Sequence, residues 1–94
     1  MMEDNLILNN YIKEKRYDKC VSIIKDKIIT VIIDQIKLKD SSINFTTLSD
    51  LVSASDFYLE DNSIAHKLNL ALMQENELEQ LNILLLICEE YNIR

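Results

Sequence analysis

The residue with the clearest capacity for chemistry is His66, the only histidine among the 94 residues, which lies in the stretch EDNSIAHKLN from Glu60 to Asn69. An imidazole exchanges protons near neutral pH, so a histidine is the first candidate for a general acid or base. The ordinary alternative is a helical residue at a polar edge that bonds an asparagine or a backbone carbonyl. The residue type alone leaves both interpretations open.

Other reactive groups lack the neighbours that a site needs. Cys20 and Cys88 lie far apart and form no CxxC pair, and with a single histidine they do not make an ordinary structural zinc site. The absence of glycine excludes the usual phosphate-binding loops and the nucleophile elbow of serine hydrolases. We expect no metal and no cofactor. The glutamates without a histidine partner are typical of solvated helix faces: Glu77, Glu79, Glu89 and Glu90.

Composition indicates a single soluble domain covering residues 1–94, because 48% of the residues are hydrophobic and 28% are charged. Glycine and proline, which sheets and tight turns usually need, are both absent, and this favours an all-α fold. The longest apolar run, 83–88, is too short to cross a bilayer, and the N-terminus lacks the basic region of a signal peptide. We expect a cytoplasmic protein with reduced thiols.

Charge is unevenly distributed along the chain. Residues 1–40 carry eight Lys/Arg and seven Asp/Glu, a net charge of +1, whereas residues 41–94 carry two and nine, a net charge of −7. The two halves together give the net charge of −6. Only KEKR, residues 13–16, would attract a polyanion, so the pattern argues against nucleic acid as a partner.

Apolar residues recur at three- and four-residue steps, which predicts helices over about 3–14, 17–39 and 77–91. A third helix follows from Leu48 and ends near Tyr58, and a short fourth helix has Ile64, Leu68 and Leu72 on one face. Leu6, Ile7, Asn10 and Tyr11 share a stripe on the first of them. The β-branched piece IITVII favours a strand by propensity, but the helical period on both sides favours a helix. Caps are predicted for the third helix (Thr46 or Thr47, with the spacing Thr47-x-x-Asp50) and the fourth (Asp61, Asn62 or Ser63).

These segments predict a single compact bundle of four to five helices. The second and last helices are apolar around more of their circumference than a surface helix needs, so each is either central or leaves a face for a partner. A homodimer is the economical solution, with another protein as the alternative partner. The expected core is Ile24, Ile28, Ile32, Leu51, Leu68, Leu81, Leu84 and Leu85. The expected dimer or partner face is Ile28, Ile29, Ile32, Ile33, Ile36, Leu84 and Ile87.

The order of the segments resembles the HEPN family of small prokaryotic helical bundles. The similarity is carried by the tyrosine-led helix NYIKEKRYDKCVSIIKDKI, then FTTLSDLV, DNSIAH and the closing helix after QENELEQL. In active members two copies join an arginine, a polar residue and a histidine into a metal-independent ribonuclease site. There the histidine moves protons while the arginine stabilises charge on the phosphoryl oxygens. The resemblance implies that Asn62 matches the polar position and His66 the histidine.

Asp61 occupies the position of the family's arginine, so the motif Asp61, Asn62, His66 is degenerate. In a symmetric dimer the carboxylates of Glu60 and Asp61 would repel the anionic substrate. The sequence therefore predicts a non-catalytic, HEPN-like interaction module of a defence or toxin–antitoxin context in a prokaryote or phage. The alternatives are a ribonuclease using Asn62 and His66, a single tetratricopeptide-like scaffold hairpin in NNYIKEKRYDKCVSII, and a small acidic inhibitor that mimics nucleic-acid charge.

Overall fold

Residues 2–93 form five α-helices joined by short turns and one longer connection. A computed structural model describes the backbone of residues 2–93 and the side chains of residues 8–93, so the predicted stripe positions Leu6 and Ile7 lie outside the described side chains. The all-α prediction is confirmed, since residues 2–93 contain helices and no strand. The helices are α1 (Met2–Lys13), α2 (Tyr17–Lys37), α3 (Leu48–Tyr58), α4 (Ser63–Leu72) and α5 (Glu77–Glu90).

Two helix ends are closed by left-handed residues that are not glycine. After α1, Lys15 has φ 58°, and the amide of Arg16 donates to the carbonyl of Tyr11 at 2.7 Å. After α5, Asn92 has φ 57°, and the amide of Ile93 donates to the carbonyl of Cys88 at 2.8 Å. Both are Schellman motifs, which satisfy the last carbonyls of a helix. The chain thus reverses direction between α1 and α2 in three residues.

The connection from α2 to α3 returns along α2. Thr47 lies beside Ile29 in a shared groove, whereas Tyr58, at the far end of α3, donates a 3.0 Å hydrogen bond to Asp40 just beyond α2. Helix α3 therefore runs in the same direction as α2. The predicted cap is confirmed at Thr47, whose hydroxyl accepts from the amide of Asp50 at 3.1 Å.

Helix α2 is the centre of the bundle and contacts each of the other four helices. Its inward residues, with those of α3, α4 and α5, form one continuous core, and seven of the eight predicted core residues are in it. In the described part of the chain, α1 packs against α2 and no other helix. The buried core residues are Cys20, Val21, Ile24, Ile28, Ile32, Ile36, Leu51, Ile64, Ala65, Leu68, Ala71, Leu81, Leu84 and Ile87.

Two sequence-based assignments are wrong in this fold. Leu85 is 43% exposed, because Leu84 and Ile87 hold the inward side of α5 and Leu85 is turned away from it. The predicted partner face is largely interior, because α2 and α5 pack against each other inside a single chain. Five of its residues are at most 2% exposed and have no surface to offer: Ile28, Ile32, Ile36, Leu84 and Ile87.

Ile29 and Ile33, the remaining residues of that predicted face, are partly buried and line a groove of about 310 Å³ between α2 and the start of α3. Phe45, Leu48 and Leu72 complete its apolar wall. Within the described residues, no helix is both long enough and apolar enough to span a membrane.

Candidate functional site

His66 lies in the first turn of α4 and is paired with a residue of α3. Its Nε2 atom is 2.6 Å from Oδ1 of Asp56, and the two side chains are about half exposed, at 51% and 47%. Because a carboxylate only accepts hydrogen bonds, the proton of this contact belongs to Nε2. The pair holds the imidazole in one orientation across the α3–α4 turn.

Asn62 is bound to the same carboxylate oxygen. Its Nδ2 amide donates to Oδ1 of Asp56 at 2.6 Å, so the side chain of this N-cap residue makes no capping bond. The hydrogen bond from His66, followed by that from Asn62, lowers the pKa of Asp56 although partial desolvation opposes the shift. The structure thus brings together the two predicted site residues, Asn62 and His66, through a third that the sequence did not suggest.

Asp61 is oriented away from that cluster and towards the start of α4. Its Oδ1 accepts from the amide of Ser63 at 3.1 Å and also from the hydroxyl of Ser63. These two bonds lower the pKa of Asp61, the hydroxyl bond having the larger effect. A carboxylate at this end of a helix is favoured by the helix dipole. Asn62 is the N-cap residue of α4, but the side chain that binds the first amide of the helix is that of Asp61, one residue earlier.

Lys67, the cation adjacent to His66 in the sequence, is bound on the other side of α4. Its Nζ donates to both carboxylate oxygens of Glu90 at 2.7 Å and lies 5.4 Å from the centroid of the Tyr91 ring. The hydrogen bond to Glu90 raises the pKa of Lys67. The Tyr91 hydroxyl is in turn 2.8 Å from the hydroxyl of Ser63. These contacts bind the start of α4 to the end of α5.

The electrostatics around His66 are those of a negative surface. Asp56 lies in the last turn of α3, Glu60 and Asp61 lie in the turn that follows, and each of the three is exposed. An imidazole oriented by a carboxylate can move a proton, as in nucleophile–base pairs. Stabilising a phosphoryl anion additionally requires a cation, and Lys67 is already engaged by Glu90.

Asp56 was missed because no local pattern identifies it. It is separated from His66 by ten residues and by the turn 59–62, so their pairing depends on how α3 packs against α4. The sequence does predict two short helices joined by a short turn. Such a turn places the end of the first helix near the start of the second, where Asp56 and His66 lie. Within the described residues, no cluster of His, Cys, Asp and Glu is placed to hold a metal ion.

Comparisons of the chain with protein-family models, with curated proteins and with solved structures found no match. The resemblance to the HEPN family therefore stays a prediction.

Proposed function

We propose that the protein is a non-catalytic helical interaction module of HEPN-like type, which binds a protein partner and does not cleave RNA. The observation that carries this proposal is that the candidate histidine and the cation adjacent to it in the sequence are both bound by carboxylates of other helices. Asp56 of α3 binds His66, and Glu90 of α5 binds Lys67. The two residues that could have moved a proton or bound a phosphate instead hold α4 against α3 and α5.

The charge of the region supports the same proposal. A ribonuclease must bring a polyanion to its histidine, and repulsion by Asp56, Glu60 and Asp61 acts against this. Ribonuclease activity at His66 remains the second candidate, because a carboxylate-oriented imidazole is the one feature here that favours it. The defence or toxin–antitoxin context rests on the sequence resemblance alone.

An RNA cleavage assay without metal tests the proposal on three proteins: the parent, His66→Ala and Asp61→Arg. We expect no cleavage above background by the parent and no loss on His66→Ala. Because the carboxylate of Asp61 accepts from the first amide of α4, the folding of Asp61→Arg must be checked by circular dichroism, with Asp61→Asn as the matched variant that lacks only the charge. If the parent cleaves RNA and His66→Ala stops it, the proposal is wrong.

Self-association is the simplest form of the proposed binding. Light scattering at micromolar concentration would then give about twice the chain mass of 11.0 kDa. The predicted face cannot mediate it, since most of that face is in the core. A mass of one chain at high concentration would exclude a homodimer and leave a second protein as the partner.

A further inference from the structure

Exposed apolar side chains are concentrated on one part of the molecule. Among the described residues eight large apolar side chains are exposed, and five of these belong to the α4–α5 hairpin. Their exposed fractions lie between 43% and 69%. Exposed apolar side chains that lie close together and are flanked by polar groups are characteristic of interaction sites. We call the five residues of the hairpin the hairpin surface, which consists of Leu70, Met73, Leu78, Leu85 and Leu86.

The register of the hairpin places two of these residues on the side of the Lys67–Glu90 ion pair. Lys67 pairs with Glu90, and Gln80 donates to the backbone carbonyl of Gln74 at 2.5 Å, so α4 and α5 run antiparallel. Leu70 follows Lys67 by three residues, and Leu86 precedes Glu90 by four. Residues at these spacings lie on the same face of a helix. Leu70 therefore lies on the same face of α4 as Lys67, and Leu86 on the same face of α5 as Glu90.

The rim of the hairpin surface is acidic. Between Lys67 and Ile93 the chain has five glutamates and no cation other than Lys67, which is bound to Glu90. The last turn of α5 contains Glu89 and Glu90 and no basic residue. Negative side chains at this end of a helix are unfavourable, because the helix dipole is negative there too. A cation supplied by another molecule would relieve this unfavourable interaction. The five glutamates are Glu75, Glu77, Glu79, Glu89 and Glu90.

We propose that the hairpin surface docks a basic amphipathic helix of a second protein. The proposal rests on the proposed function, since it names the surface and the chemistry of the partner of the same interaction module. Leucines on one face of the incoming helix would pack on the exposed apolar residues, and its lysines or arginines would face the glutamates. A two-fold contact between two copies would instead oppose glutamates to glutamates, which favours a different protein as the occupant.

A designed peptide of leucine and lysine, with its leucines at helical spacing, is the probe. Fluorescence anisotropy compares its binding to the parent and to two double variants. Leu70→Ser/Leu86→Ser removes apolar area from the hairpin surface, and we expect it to weaken binding about tenfold or more. The matched control, Leu38→Ser/Phe57→Ser, removes side chains that are at least as exposed but lie elsewhere, and we expect less than about a twofold change.

Charge is tested separately on the same surface. Glu79→Gln/Glu89→Gln should slow association at low salt and flatten its salt dependence, because attraction between unlike charges accelerates encounter. Glu14→Gln/Asp34→Asn, which removes two exposed carboxylates outside the hairpin, should have the smaller effect. A control peptide has the same composition but scrambled leucines, so it keeps the charge and lacks an apolar face. Its binding measures the contribution of charge attraction alone.

Three results would overturn the proposal: equal binding of both peptides, equal effects of both serine pairs, or a parent dimer that Leu70→Ser/Leu86→Ser dissociates. The last would make a second copy the occupant of the hairpin surface. Each of these results leaves the absence of RNA cleavage untouched. Cleavage that depends on His66 would instead defeat the proposed function, whatever the peptide does.

Discussion

Asp56 holds two side chains of the α3–α4 turn region, the ring of His66 and the amide of Asn62, on one carboxylate oxygen. Both donors favour the ionised carboxylate, so the pKa of Asp56 is lower in the folded chain than the ordinary value of about 3.9. A depressed pKa contributes stability above the unfolded-state pKa, and this contribution is lost as pH falls through the folded-state pKa. The cluster is therefore sensitive to acid.

At the residue scale we expect His66→Ala to raise the pKa of Asp56 towards its ordinary value, because the largest cause of the shift is removed. Carboxyl titration by NMR measures this directly. Asp40 is the internal control, since its pKa is lowered by Ser42 and Tyr58, which the substitution leaves in place. An unchanged Asp56 would mean that the His66–Asp56 bond does not persist in solution. We expect little change in overall stability, because the pair is half exposed.

Two helix ends use residues with a Cβ where glycine is usual. Lys15 and Asn92 both adopt the left-handed conformation, which costs an L-residue about 1–2 kcal/mol. Asparagine tolerates this conformation better than lysine does, because its short side chain bonds locally. The α1–α2 turn is thus the more strained of the two.

Replacing Lys15 by glycine should stabilise the protein by about 0.5–1 kcal/mol, because the steric cost is removed and partly offset by the larger entropy of the unfolded chain. Urea denaturation measures the change. The matched control is Lys19→Gly, an exposed position inside α2, where glycine should destabilise by about 1 kcal/mol. If both substitutions destabilise equally, the left-handed conformation at Lys15 is wrong.

The positions of the helices could be predicted from the sequence, because periodicity and capping residues are local features. The predicted bounds of α1, α2 and α5 agree with the structure to within two residues, and the helical spacing outweighed the β-branching of IITVII. The Thr47–Asp50 spacing identified a cap that the structure contains. The Asp56–His66 pair was not accessible, since its partners meet only through the packing of α3 on α4. The sequence thus predicted Asn62 and His66 as site residues but not Asp56, which binds both of them.

For the whole molecule, the sequence does not determine what covers the wide apolar stripe of α2. The width of the stripe on α2 shows that much of it is covered, but the same width results from surrounding helices or from a second chain. In the structure α2 is covered by the other four helices of its own chain, and this is why Ile28, Ile32 and Ile36 are interior. Periodicity likewise could not separate Leu84 from Leu85, adjacent leucines in an apolar run.

Those two leucines give a sharp test of the core. Leu84→Asp should abolish cooperative unfolding, because Leu84 is 0% exposed and an unpaired buried charge costs several kcal/mol or more, comparable with the total stability of a small domain. Leu85→Asp, one residue later and 43% exposed, should change stability by less than about 1 kcal/mol. Thermal melting followed by circular dichroism compares them. Similar melting of Leu84→Asp and the parent would contradict the packing of α5.

Among the described residues α1 packs only against α2, so we expect α1 to undock at a lower free energy than the rest of the bundle unfolds. The thiol of Cys20 is buried at this junction, where it contacts the carbonyl of Leu8 at 3.9 Å, so it becomes reactive when α1 undocks. Such subglobal opening exposes less surface than global unfolding and depends weakly on denaturant. Thiol labelling of a Cys88→Ala variant should therefore show Cys20 reacting through a denaturant-insensitive process at low urea. Labelling with the full unfolding dependence would instead make the bundle a single cooperative unit.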